Sequence, residues 1–199
     1  MKNRYTYILA IMAAGACSQM DELEPQGGII LSEQMQEVNS IIPSRADASF
    51  NGMYTKLGAP ESAIGGGRPD DFGFIMMAFS NDIEAADVVL ANSGYNWFSA
   101  CGSLSSRNAD YANPYIRYAA PYNTIAAAND ILRSYPSDTD DPSIRHKLAQ
   151  AHAIRAFAYL NLAPYFQFGY ASGGQDLPCV PLVTEKTTDF TDNQRASVA

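Results

Sequence analysis

Residues 143–168, SIRHKLAQAHAIRAFAYLNLAPYFQF, carry the clearest hydrophobic pattern in the chain. Ile154, Phe157, Ala158, Leu162, Tyr165 and Phe166 recur at helical spacing, and Ile144, Leu148 and Ala151 begin the same stripe one turn earlier. The segment lacks glycine and is rich in Ala, Leu and Gln, so propensity and pattern agree on a helix. Small side chains at Ala153, Ala156 and Ala158 would let a second helix approach closely. Pro142 suits the helix start, and Pro164 predicts a kink or an end.

A partner helix lies upstream. Asn113 and Pro114 read as a cap followed by a first-turn proline. Tyr115, Tyr118, Ala119, Tyr122, Ile125, Ala126 and Leu132 mark one face, with Pro121 as a kink or a delayed start. Tyr135 and Pro136 stop this helix, and a short polar turn at 137–141 makes the two antiparallel. Such a hairpin is the unit of superhelical repeat proteins, although only one full copy is visible.

Earlier in the chain, residues 44–57 predict a helix with Ser44 and Asp47 as a capping box, the stripe Phe50, Met53, Tyr54 and Leu57, and Gly58 as a left-handed stop. Residues 59–71 hold Gly65, Gly66 and Gly67 and read as a flexible connection. No Lys-Ser or Lys-Thr follows, so the phosphate-loop test fails. Residues 72–91 contain a dense apolar patch of helical character, then Asn81, Asp82, Glu84 and Asp87 without calcium-loop spacing. Residues 169–185 are a Gly-rich exit and an extended run, since Pro178 and Pro181 exclude a central strand. Residues 195–199 read as the start of another helix.

Composition narrows the function. With 199 residues, 47% of them hydrophobic, there is ample material for one cored domain. The formal charge of −8 and the lack of a basic patch argue against nucleic acid as a partner. Cys17, Cys101 and Cys179 match no zinc or redox spacing. The last two either pair or stand as buried thiols, the second being the preferred reading. No cofactor or metal is implied.

The N-terminus has its own logic. Lys2 and Arg4 precede an apolar run at 5–14 that is too short to span a bilayer, then Ala14, Gly15, Ala16 and Cys17. This is similar to a lipoprotein signal: small residues admit the peptidase, and only a thiol can take the lipid thioether. Residues 1–16 are therefore a signal peptide, Cys17 the lipidated residue that anchors the protein to the membrane, and 17–43 an acidic tether. An ordinary secretory signal is the alternative.

Residues 92–110 read as an exposed loop carrying Tyr95, Trp97 and Phe98 among Gly, Ser and Asn. Aromatic faces pack on the C–H faces of a pyranose while amides and carboxylates, Asp82 among them, meet its hydroxyls. Taken alone, Trp97 fits a core position above the hairpin somewhat better. A hydrolase would need a carboxylate pair from Asp70, Asp71, Asp82 and Glu84, or His146 with His152. Six residues apart on a helix, the histidines point about 240° apart and share no face, and no GxSxG occurs. A third reading is a helical adaptor that binds only protein. Arg155, set among alanines and aromatics, should be paired by a salt bridge or by carbonyls.

FNGMYTKL, NDIEAADVV, YNWF, IAAANDIL and AHAIRAFAYLNLAPYF with the later LPCVPLVTE and RASVA together resemble the SusD/RagB family of Bacteroidetes surface lipoproteins. The most specific parts are Ala128–Asn129, Arg155–Ala156–Phe157 and the Pro-Leu-Val that follows. The resemblance implies an all-α, tetratricopeptide-like helical hairpin superhelix, here truncated after the first hairpin, with 44–199 as its N-terminal part and with Asn129 and Arg155 in structural roles. It also implies a non-enzymatic protein at the cell outer membrane that binds an oligosaccharide or similar nutrient and delivers it to a SusC-like TonB-dependent transporter.

Overall fold

A computed structural model describes residues 41–85, 87–91, 96–188 and 193–198, with 34, 37 and 38 besides. The chain divides into two compact units, Met1–Ile41 and Ile42–Ala199, and the described fold is that of the second. The signal, Cys17 and nearly all of the tether fall outside the described residues, as does Tyr95. Among the described residues no helix is long and apolar enough to cross a membrane.

The class is all-α. In chain order the elements are α1 (Pro43–Thr55), α2 (Gly73–Glu84), the single turn α3 (Ser99–Gly102), a 3-10 turn (Ser105–Arg107), α4 (Ala112–Ser134), α5 (Pro142–Phe166), a second 3-10 turn (Tyr170–Ser172) and the two-residue strands β1 (Val180–Pro181) and β2 (Arg195–Ala196). The most extensive contact joins α4 to α5. Ala128, Ile131 and Leu132 near the end of α4 meet Leu148, Ala151 and Ile154 near the start of α5. Ile116, Ala120 and Ile125 meet Ala158 and Leu162 at the other end. That crossing of ends makes the pair antiparallel.

Ala120 and Ala128 on α4 face Ala151 and Ala158 on α5, all at most 1% exposed, so the backbones approach closely. The expected Ala153 and Ala156 are exposed instead. Asp141 caps α5, its carboxylate accepting from Ser143 N at 2.8 Å. Pro121 lies inside α4 without ending it, and Pro164 sits two residues before α5 stops. The first turn of α4 begins earlier than expected, at Ala112. Asn113 is therefore inside the helix and donates to Cys101 Sγ at 3.5 Å rather than capping.

α1 lies on the closed end of the hairpin through Met53, which is fully buried among Ala128, Ile131, Leu148 and Ala151. Its start differs from the expected capping box. Ile42 occupies the cap without a side-chain hydrogen bond, and the Asp47 carboxylate reaches across to Lys147 Nζ. Gly58 does not adopt a left-handed conformation. The left-handed position is Gly73, at φ +59°, where Phe74 N donates to Leu57 O at 3.0 Å. A Cβ at Gly73 would lie 2.6 Å from Leu57 O. Gly73→Ala should therefore cost about 2 kcal/mol or more, read as a lower Tm, since the left-handed backbone alone costs an L-residue roughly 1–2 kcal/mol. Gly52→Ala, in mid-helix with nothing within 4 Å of the new methyl, should stabilise by about 0.5–1 kcal/mol.

After α5 the chain turns back over the hairpin. Val180 and Cys179 enter its core, and β1 pairs antiparallel with β2, Val180 opposite Ala196 and Pro181 opposite Arg195. The helix expected to begin at Arg195 is thus a strand where described. Pairing overrides its propensity: Cys179 N donates to Ala196 O at 2.7 Å, and Arg195 Nε to Cys179 O at 2.9 Å. Cys101 and Cys179 are both buried free thiols, and burial pushes each thiol pKa up.

Candidate functional site

The glycine-rich segment is a built loop, not the flexible connection its composition suggests. Asp71, fully buried, draws it together. One carboxylate oxygen accepts from Ser62 Oγ at 2.7 Å and Ala63 N at 2.9 Å, the other from Ile64 N at 2.7 Å and Gly65 N at 3.1 Å. The amides that a phosphate would need are already taken by this carboxylate. Burial alone would raise the Asp71 pKa, but the bonds from Ile64, Ser62, Gly65 and Ala63 outweigh it and hold it below the usual value. Asn123 Nδ2 on α4 donates to Ser62 O at 2.7 Å and ties the loop to the hairpin.

The loop presents Arg68. Its Nε and Nη2 donate to the two oxygens of Asp70 at 3.0 and 2.7 Å, and Asp70 is 2% exposed. The guanidinium lies 4.6 Å from the centroid of Trp97, within the reach of a cation–π contact. Trp97, the one tryptophan in the sequence, is 36% exposed.

Trp97 and Arg68 line a groove of about 540 Å3 together with Asn96, Ser99, Ser103, Ser105, Asp110, Tyr111 and Asn113. An aromatic face thus stands beside hydroxyls, amides and a carboxylate. The loop reading of Trp97 fits this position better than the core reading. Phe98, one residue on, turns inward and packs edge-on against Phe79 at 5.1 Å. Asp82 is exposed on α2 and does not line the groove.

Behind the groove, Glu84 ends α2 and accepts from Ser106 Oγ at 2.7 Å and Arg117 Nη2 at 2.8 Å. Arg117 Nη2 also donates to Asn81 Oδ1 at 3.2 Å, and the guanidinium lies 4.8 Å from the Tyr165 centroid. Arg117 Nε is buried without a hydrogen-bond partner. Burial raises the Glu84 pKa, but Arg117 and Ser106 reverse this and leave it lowered. The network pins the 3-10 turn, whose Ser105 lines the groove, onto α2 and α4. Nothing in residue spacing marks Arg68, Tyr111 or Arg117, which meet their partners through the fold.

The carboxylates of the hydrolase reading do not form a pair. Asp70 is held by Arg68, Asp71 by the loop amides and Glu84 by Arg117, while Asp82 stands apart in solvent. His146 is exposed, and His152 Nδ1 lies 3.2 Å from Arg155 Nη2. Among the described residues no group of three or more metal-ligating side chains could hold an ion.

Asn129 and Arg155 hold the extended run after α5, residues 177–185, as a strap across the hairpin. Arg155 Nη1 meets Glu185 Oε2 at 2.6 Å and Asn129 Oδ1 at 2.7 Å, and Asn129 Nδ2 donates to Val183 O at 3.1 Å. The Tyr159 hydroxyl donates to Val183 O at 3.1 Å and accepts from Val183 N at 2.6 Å, and Tyr122 OH donates to Pro181 O at 2.6 Å. A second groove of about 360 Å3 runs between this strap and α4, with Tyr118, Tyr122, Arg133 and Asn193 on its sides. Arg155→Ala should cost about 1–3 kcal/mol, because the pair is mostly buried and hydrogen-bonded at both ends. Unchanged melting would contradict this. Compared with known proteins, the chain matches no family model and no curated protein.

Proposed function

We propose that this chain is a non-catalytic surface lipoprotein of the SusD/RagB type, which captures an oligosaccharide or similar nutrient and hands it to a TonB-dependent outer-membrane transporter. In this reading Cys17 carries the lipid, the antiparallel α4–α5 pair is a unit of a tetratricopeptide-like superhelix, and no bond is made or broken. The observation that carries it is the groove at Trp97: an exposed indole, backed by Arg68, opens among Asn96, Ser103, Ser105, Asp110 and Tyr111. A sugar ring needs this pairing of a flat apolar face with short hydrogen-bonding side chains. The engagement of Asp70, Asp71 and Glu84 in structural bonds favours binding over hydrolysis.

The test is a pull-down of the full chain on immobilised glycan pools, in parallel with Trp97→Ala. The parent is expected to be retained by at least one pool. The variant should lose roughly 2 kcal/mol of binding, about thirtyfold in Kd, as a central Trp contact does. Retention by no glycan, or equal retention of the variant, would count against the reading. Lipid labelling that survives Cys17→Ala would count against the anchor.

A further inference from the structure

We propose that the Trp97 groove selects uncharged sugars over acidic ones, and that Asp70 enforces the choice. This rests on the reading of the groove as a sugar site.

Among the described residues that line it, Arg68 is the single cation. An arginine beside an aromatic platform would ordinarily welcome the carboxylate of a uronic acid. Here both oxygens of Asp70 already take its Nε and Nη2, at 3.0 and 2.7 Å. Asp70 is 2% exposed, so its carboxylate is buried against the guanidinium and balances its charge. The guanidinium lies over the Trp97 ring, 4.6 Å from its centroid, and covers one face of the indole. Arg107, at the end of the neighbouring turn, places its charge where Glu84 feels it and does not line the groove. Among the described lining residues the other charge is the exposed Asp110. The lining residues together with Asp70 are therefore net negative, in a chain of formal charge −8. A sugar carboxylate entering it would lose water and meet repulsion. Neutral hydroxyls face no such cost and can use Asn96, Ser103, Ser105 and Asp110.

The experiment is calorimetry at low salt on the full chain, where exposed charges are least screened. The probes are neutral gluco-, manno- and xylo-oligosaccharides and acidic oligogalacturonates and oligomannuronates of equal length. At least one neutral probe should bind at least tenfold tighter than every acidic one. Asp70→Asn should remove the carboxylate that balances the Arg68 charge and narrow that ratio at least fivefold, and adding Arg68→Gln should restore it. Asp110→Asn, at an exposed position, should raise acidic binding at least threefold and keeps the inference testable if Asp70→Asn fails to fold. Acidic probes bound as tightly as neutral ones, or a folded Asp70→Asn or Asp110→Asn with an unchanged ratio, would overturn the selectivity while leaving sugar binding intact. Binding of no probe of either kind would overturn the sugar reading itself, and the selectivity with it.

Discussion

Glu84→Ala should lower stability by about 3–5 kcal/mol, the usual cost of leaving one member of a buried ion pair without its partner. Arg117 keeps its charge, with a side chain 7% exposed, and its Nη2 loses the 2.8 Å bond. Ser106, fully buried, loses its acceptor as well. For a domain of this length the loss is roughly 6–20 °C in Tm. Replacing both partners by apolar side chains, Glu84→Leu with Arg117→Met, should recover much of the loss, because no charge is then stranded. A single variant that melts like the parent would show that the pair does not bind the groove wall to the hairpin.

Asp71→Ala should have an effect of similar size but a different reach. Ser62 Oγ and the amides of Ala63, Ile64 and Gly65 lose their acceptor together, at about 1–3 kcal/mol for each group that water does not re-satisfy. The expected loss is about 3–4 kcal/mol, since a surface loop lets water reach some of them. Hydrogen exchange should quicken most at residues 63–65, by local opening, and at the α4–α5 amides only by the loss of global stability. Acid should mimic the change. The Asp71 and Glu84 carboxyls are both held below their ordinary values of 3.8 and 4.5. A depressed folded pKa gives stability that is present above the unfolded value and is lost as pH falls through the folded one. Parent stability should therefore decline below about pH 4, and Asp71→Asn should flatten part of that decline. An acid limb identical in parent and variant would contradict this.

The hairpin was legible because its signals are local. Helical spacing at Ile154, Ala158 and Leu162, the short turn after Tyr135 and the helix-starting Pro142 all lie within a few residues of what they determine. The strap was half legible: Pro178 and Pro181 excluded a central strand, but the pairing that turns Arg195 into strand depends on Pro181, 14 residues earlier. The glycine-rich loop was misread for a related reason. Composition reports the freedom of Gly65–Gly67, whereas Gly65 N is held by the buried Asp71 carboxylate and Gly67 N by Glu61 Oε1. Of the groove, Trp97 could be nominated from its neighbours Asn96 and Ser99. Arg68 and Tyr111 could not, since the loop and the start of α4 reach it only once folded. Phe98 shows the limit of an aromatic cluster as a signal, because adjacent rings on a turn face opposite ways.

Trp97 is also the natural reporter of the site, being the sole tryptophan in the chain. Titrating the folded protein with neutral oligosaccharides while following its emission tests the central claim most directly. A saturable change in intensity or wavelength is expected, with a midpoint that matches the calorimetric Kd. Binding seen by calorimetry with a flat emission signal would place the sugar elsewhere, and no binding by either method would contradict the proposed role.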